Sequence, residues 1–138
     1  MSDTLLKLAK DLVVKPSITP DDRGCQIIIR ELLTAQGFSC LTLKENQTDN
    51  LLALHGNGHP FILFLGHTDV VPPGDEKAWT HPPFGAVITK NEDTVILHGR
   101  GSADMKGSDA AMTLALADFV KENPDHQGTV GLLLTSNE

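Results

Sequence analysis

Two apolar runs, Phe61–Leu65 and Gly131–Leu134, each break into polar residues, Gly66-His67-Thr68-Asp69 after the first and Thr135-Ser136-Asn137-Glu138 after the second. A continuous run of large apolar residues reads as a strand buried on both faces, which requires a sheet with cover on each side. A third strand leads through Leu97 and a Gly-rich loop to Asp104. Open α/β sheets place their sites at the carboxyl ends of strands, where loops converge. One imidazole and three carboxylates are therefore expected at a single sheet edge.

The rest of the chain supplies the helices. Leu5, Leu8, Ala9, Leu12 and Val13 have the spacing of one helix face, over Thr4 to Val14, and Pro16 stops it. Thr19-Pro20-Asp21-Asp22 has the form of a helix start, with Thr19 as the capping hydroxyl. Cys25, Ile28, Ile29, Leu32 and Leu33 then repeat at helical spacing until Gly37. Phe38–Leu43 and Asn50–His55 read as strands, and Gly56-Asn57-Gly58 reads as a hairpin turn into the strand at Phe61. Ala86–Ile88 and Thr94–Leu97 form a second expected hairpin across Asn91-Glu92-Asp93. Ser108 is placed to cap a helix from Asp109 to about Glu122, and Thr129–Thr135 is the last strand. The pattern predicts an α/β domain whose sheet is mixed but mostly parallel and flanked by helices.

Composition narrows the function classes. Eleven basic against eighteen acidic residues give a net charge of −7, unfavourable for binding nucleic acid. No apolar run approaches the ~18–20 residues that span a bilayer. The N-terminal pattern is interrupted by Asp3, Lys7, Lys10 and Asp11, unlike a signal peptide. Two cysteines make no disulfide framework, and Cys25 on an apolar helix face reads as a buried free thiol. A cytoplasmic protein is expected, with neither nucleic acid nor membrane as a partner.

His67 and Asp69 stand two apart, so an extended chain puts both on one side. An imidazole with a nearby carboxylate is a metal ligand with its orienting partner. Asp104, among Gly99, Gly101 and Gly107, adds an oxygen ligand, and Glu138 is a candidate general base for a metal-activated water. Mixed His and carboxylate donors suit zinc or a similar ion. Taken singly, a His-x-Asp is common and an Asp in a Gly-rich loop is ordinarily a turn residue. Only their joint placement at strand ends makes a site. In GRGSADMKGS, Lys106 precedes Gly107-Ser108 and Asp104 stands where a dinucleotide loop needs glycine, so neither phosphate-loop motif is met. No G-x-S-x-G elbow is present. His55, His59, His81, His98 and His126 read as surface or hydrogen-bonding residues, and Trp79 as an aromatic anchor for the long loop.

GHTDVVPPGD (residues 66–75), Trp79, Pro83-Phe84, GRGSADMKGS (residues 99–108) and LLLTSNE (residues 132–138) together resemble the zinc-dependent aminoacylase and carboxypeptidase superfamily. The resemblance covers essentially the whole chain but only about the front third of such an enzyme. It implies that His67 ligates one zinc, that Asp69 orients His67, that Asp104 bridges two zincs, and that Glu138 is the base. A cobalt-loaded form is an option. It also implies a cis peptide after Asp104. The implied reaction is attack of the metal-activated water on an amide, cleaving N-succinyl-diaminopimelate to succinate and diaminopimelate in lysine biosynthesis. Deacetylation of acetylornithine, or hydrolysis of another N-acyl amino acid, is the alternative within the superfamily. A non-catalytic binding module is the alternative outside it.

Other family features have no counterpart here: the acidic ligand directly after the base, a later carboxylate, a C-terminal histidine and the inserted dimerising domain. The expectation is that residues 1–138 are the N-terminal portion of the catalytic domain. Such a portion should be inactive alone, its parent being a homodimer through a region absent here.

Overall fold

The computed structural model describes residues 3–138. Helices α2 (Cys25–Ala35) and α3 (Gly107–Glu122) pack against a sheet of β1 (Ser39–Glu45), β2 (Thr48–Asn57), β3 (Phe61–His67) and β6 (Gly128–Thr135), and α1 (Asp3–Val13) packs on α3. A separate two-stranded ribbon, β4 (Val87–Lys90) and β5 (Val95–His98), is the expected second hairpin, with Thr94 donating to Asn91 at its turn.

The sheet order is β1-β2-β6-β3. The α/β class and mixed sheet are as expected, but the sheet is not mostly parallel. Only β3 runs parallel to β6, while β1–β2 and β2–β6 are antiparallel. Gly56-Asn57-Gly58 therefore does not close a hairpin, because β6 lies between β2 and β3. The local turn signal is overridden by a better partner. Leu132 and Leu134 of β6 pair with Ala53 and Leu51 and are buried with them under the helices.

Register divides the sheet into two faces. Leu51, Ala53, Val130, Leu132 and Leu134 meet Leu8, Leu12, Ile29, Leu33, Leu116 and Val120 in one core. Cys25 is buried in that core as a free thiol, and burial pushes its pKa up to about 11. The opposite face carries the row Leu41–Leu52–Leu133–Leu65. Leu41 and Leu65 are 52% and 64% exposed, as is Phe61 on the same face, and Ile62 and Phe64, on the helix-side face of β3 beside Val130 and Leu132, are exposed too. The expectation that Phe61–Leu65 is buried on both faces is thus corrected. Among the described residues β3 is an edge strand, and nothing covers its outer face.

A large apolar face of this kind binds hydrophobic dyes. The 138-residue chain is expected to enhance ANS fluorescence in native buffer. Leu41→Lys with Leu65→Lys should remove most of that signal without lowering Tm by more than a few degrees. An unchanged signal would mean that the dye reads another surface.

The second helix begins differently from expectation. Thr19 is not its cap, and α2 starts at Cys25 after Gly24 at φ 84°. Asp22 instead accepts from the Gln26 N–H at 3.0 Å. Ser108 caps nothing either: α3 begins at Gly107, directly after a kinked turn in which Asp104 (φ −130°, ψ 96°) and Met105 (φ −133°, ψ 27°) are not helical, so Ser108 already lies inside the helix. Gly37, at φ 87°, ends α2 as expected.

Candidate metal centre

The parallel pairing of β3 with β6 brings their carboxyl ends together, with His67 opposite Thr135. Beyond His67 the chain is held from both sides. The Thr68 N–H donates to the Thr135 carbonyl at 2.8 Å, and the Val70 N–H donates to the Ser17 carbonyl at 2.8 Å. Ser17 Oγ donates to the Thr68 carbonyl at 2.7 Å, and Thr68 Oγ1 donates to Asp22 at 2.5 Å. The end of β6 is tied likewise, with Ser136 Oγ donating to the Pro20 carbonyl at 2.8 Å and accepting from the Asp49 N–H at 2.8 Å. Buried hydrogen bonds of this density fix backbone position.

His67 is 8% exposed. Its Nε2 lies 3.0 Å from Asp104 Oδ1 and 3.4 Å from Glu138 Oε2. One donor atom from each of the three falls within 4.8 Å of the others. The side chains of Asp104 and Glu138 are 83% and 72% exposed. They border a cleft of about 200 Å³ that Asp69, Val71 and Arg100 also line. An imidazole with two carboxylates is a donor set that zinc or another borderline divalent ion accepts. The chain's residues therefore fit such an ion.

Asp69 is 3% exposed and stands on the other side of the ring. His67 Nδ1 is 3.0 Å from the Asp69 main-chain carbonyl and 3.5 Å from its carboxylate. The main-chain oxygen is thus the closer partner, and a proton on Nδ1 leaves Nε2 free to ligate. The carboxylate accepts a hydrogen bond from Thr19 Oγ1, the residue first read as a helix cap. Burial disfavours a charged His67, but the Asp69 carbonyl, Asp104 and Glu138 outweigh it and raise its pKa above the ordinary value. The Asp104–Met105 peptide is cis, as the resemblance implied.

Asp69→Asn keeps the main-chain contact and removes the carboxylate's charge. It is expected to weaken zinc binding by about 10- to 100-fold, the usual effect of losing an orienting partner, as read by calorimetric titration. Unchanged affinity would show that the main-chain carbonyl alone orients the ring.

Two charged residues beside the site escaped the sequence reading. Lys106 is fully buried, and its Nζ donates to the Lys15 carbonyl at 2.7 Å. Burial lowers its pKa. Asp109, also fully buried, has no hydrogen-bond partner on either carboxylate oxygen. Burial pushes its pKa up to about 7, with His67 and Lys106 pulling the other way. Its Oδ1 would lie 2.2 Å from a Cβ placed on Gly66, so only glycine fits between β3 and α3 at that point. Helical spacing was the available signal, because Asp109, Thr113, Leu116 and Val120 share the buried face of α3.

The other residues fall where expected. Trp79 anchors its loop through Nε1 to the Pro73 carbonyl at 3.0 Å, and Arg100 stacks on it at 5.1 Å. No helix among the described residues is long and apolar enough to cross a membrane.

Residues 63–138 match the family model described as Peptidase family M20/M25/M40. Succinyl-diaminopimelate desuccinylase of Coxiella burnetii (strain Dugway 5J108-111) is 51% identical over all 138 residues. The chain spans only 36% of that relative's length. Among solved structures, the M20 family metallo-carboxypeptidase Sso-CP2 from Sulfolobus solfataricus superposes with TM-score 0.77 at 24% identity, covering 97% of this chain and 30% of that one. Human carnosine dipeptidase 1 superposes with TM-score 0.70 at 23% identity, covering 96% and 31%. These two likenesses establish the shared fold.

Proposed function

The chain belongs to peptidase family M20/M25/M40, and from that premise we propose that it supplies part of the metal centre of a di-zinc amidohydrolase acting on N-succinyl-diaminopimelate. The convergence of His67 Nε2, Asp104 Oδ1 and Glu138 Oε2 carries the reading. The 51% identity to a desuccinylase directs it toward a succinylated amine.

When bound, zinc supplies Lewis acidity to a water and to the scissile carbonyl. The chain's own residues do the rest. His67 holds one ligand position through Nε2, fixed by the contacts of Nδ1 with Asp69. Asp104, which reaches the same point from the Gly-rich turn, would be the carboxylate that the two ions share. Glu138 takes the proton of the attacking water and passes it to the leaving amine. The 138 residues alone hydrolyse nothing in this reading, because one imidazole and one carboxylate, with Glu138 kept as the base, do not close two zinc sites.

The test is hydrolysis by a full-length protein carrying this segment, loaded with zinc, on N-succinyl-diaminopimelate and on N-acetylornithine. A kcat/KM higher on the succinyl substrate by about 100-fold, roughly 2.7 kcal/mol of discrimination, is expected. Preference for the acetyl substrate would move the assignment to a deacetylase. Inactivity on both, with no zinc bound, would overturn it.

A further inference from the structure

Far from His67, two other imidazoles meet nitrogen to nitrogen. His55 near the end of β2 and His126 in the turn before β6 place Nδ1 and Nε2 2.9 Å apart. His55 pairs with Val130 across the sheet, whereas His67 pairs with Thr135. Five residues of β6 separate the two rows, about 17 Å at the rise of a strand. This pair is therefore outside the cleft that His67, Asp104 and Glu138 border.

We propose that His55 and His126 form a second metal site, which takes one divalent transition ion of the imidazole-binding class: Cu2+, Ni2+ or Zn2+. Nitrogens bound to one such ion at ~2.05 Å lie ~2.9 Å apart at a right angle and ~3.3 Å apart in a tetrahedron. The observed separation is already at the short end of that span. Each ring swings by about 35–45° from the nitrogen-to-nitrogen line to aim at the ion, which replaces the shared proton. Nδ1 of His126 faces the Gln127 carbonyl at 3.4 Å, which favours the tautomer with a free lone pair on Nε2. The proton now shared by His55 moves to its own Nε2, so the rings bind as neutral ligands and no net charge is lost. Waters complete the coordination.

The rings are also held in place. His55 packs on Phe38, with centroids 5.4 Å apart, and His126 packs on Phe119, with centroids 5.1 Å apart. Gly56, at φ 81°, makes room, since a Cβ there would lie 2.7 Å from His126 Cε1 and 2.2 Å from the Gly128 carbonyl. Side chains confined on one side by an aromatic ring lose less freedom when the ion arrives. Both histidines are only half-buried, so an ion has access. The contrast is His81 with His98, whose rings also lie close, at 4.5 Å. There the His98 Nε2 is engaged by Thr89 Oγ1 at 2.8 Å instead of by the other ring.

The experiment titrates Ni2+ into the 138-residue chain carrying His67→Ala and Asp104→Asn, which disables the first cluster. One Ni2+ is expected to bind and raise Tm. Adding His126→Ala, or separately His55→Ala, should weaken that binding by at least about tenfold and abolish the Tm increase. Nitrogen-15 spectra of the unsubstituted chain with Zn2+ provide a readout that needs no variant. His55 Nδ1 and His126 Nε2 are expected to shift on zinc addition. Imidazole signals that stay in place, or Ni2+ affinity indifferent to His55 and His126, would overturn the proposal.

Discussion

Replacing His67 by alanine is expected to lower zinc affinity at the Asp104–Glu138 cluster by more than about 100-fold. Losing only an orienting partner already costs about 10- to 100-fold, and His67 is a donor itself. It is also the sole buried member of the cluster, 8% exposed, while the carboxylates of Asp104 and Glu138 are 83% and 72% exposed. Two solvated carboxylates suit a hard ion better than zinc, and they give up rotamer freedom when they converge. Zinc calorimetry on the chain with and without His67→Ala measures the effect, with His126→Ala in both to silence the other imidazole pair. Circular dichroism checks the fold. An affinity within about threefold of the parent, under 0.7 kcal/mol, would show that His67 is not a ligand. Asp104→Asn is expected to have the smaller effect of the two, because an exposed carboxylate is more readily replaced by water.

What could be read from residues alone divides along physical lines. Helix spacing, the stop at Pro16 and the left-handed Gly37 are local, and the structure agrees with them. Strand pairing is not local. Gly56-Asn57-Gly58 carries a hairpin signal, yet the partner of β2 is β6, more than seventy residues later in the chain, and only the burial of Leu132 and Leu134 against Leu51 and Ala53 decides it. Phe61–Leu65 shows a related ambiguity. Its apolar run states a demand for cover, not its supply, and the described residues leave Leu65 64% exposed. For the site, the motif residues were legible because ligand chemistry restricts residue type. The residues that hold them were not. Thr19 serves Asp69 across fifty positions of sequence, and Ser136 ties β6 to the Pro20 carbonyl. Hydroxyls of that kind carry no spacing signature.

Asp109 is where the fold and the site conflict, and relieving the conflict should have a large effect. Its folded-state pKa of about 7 stands above the ordinary 3.8. Between those values the native state holds a proton that the unfolded chain releases, so stability falls as pH rises through the window and stays low above it. The roughly three-unit difference corresponds to about 4 kcal/mol. The attractions of His67 and Lys106 are already included in that pKa, so they do not cancel the deficit further. Asparagine mimics the protonated acid in size and removes the charge. Asp109→Asn is therefore expected to stabilise the chain by up to about 4 kcal/mol at pH 8, a Tm increase on the order of 10 °C or more, and by almost nothing at pH 4. The pH dependence is the decisive readout. A packing effect of the amide would be the same at both pH values, whereas relief of a buried charge appears only where the charge exists. Thermal melts of both proteins at pH 4 and pH 8 separate the two. Equal Tm at pH 8 would mean that Asp109 ionises without cost, which its two unpartnered oxygens in a fully buried position argue against.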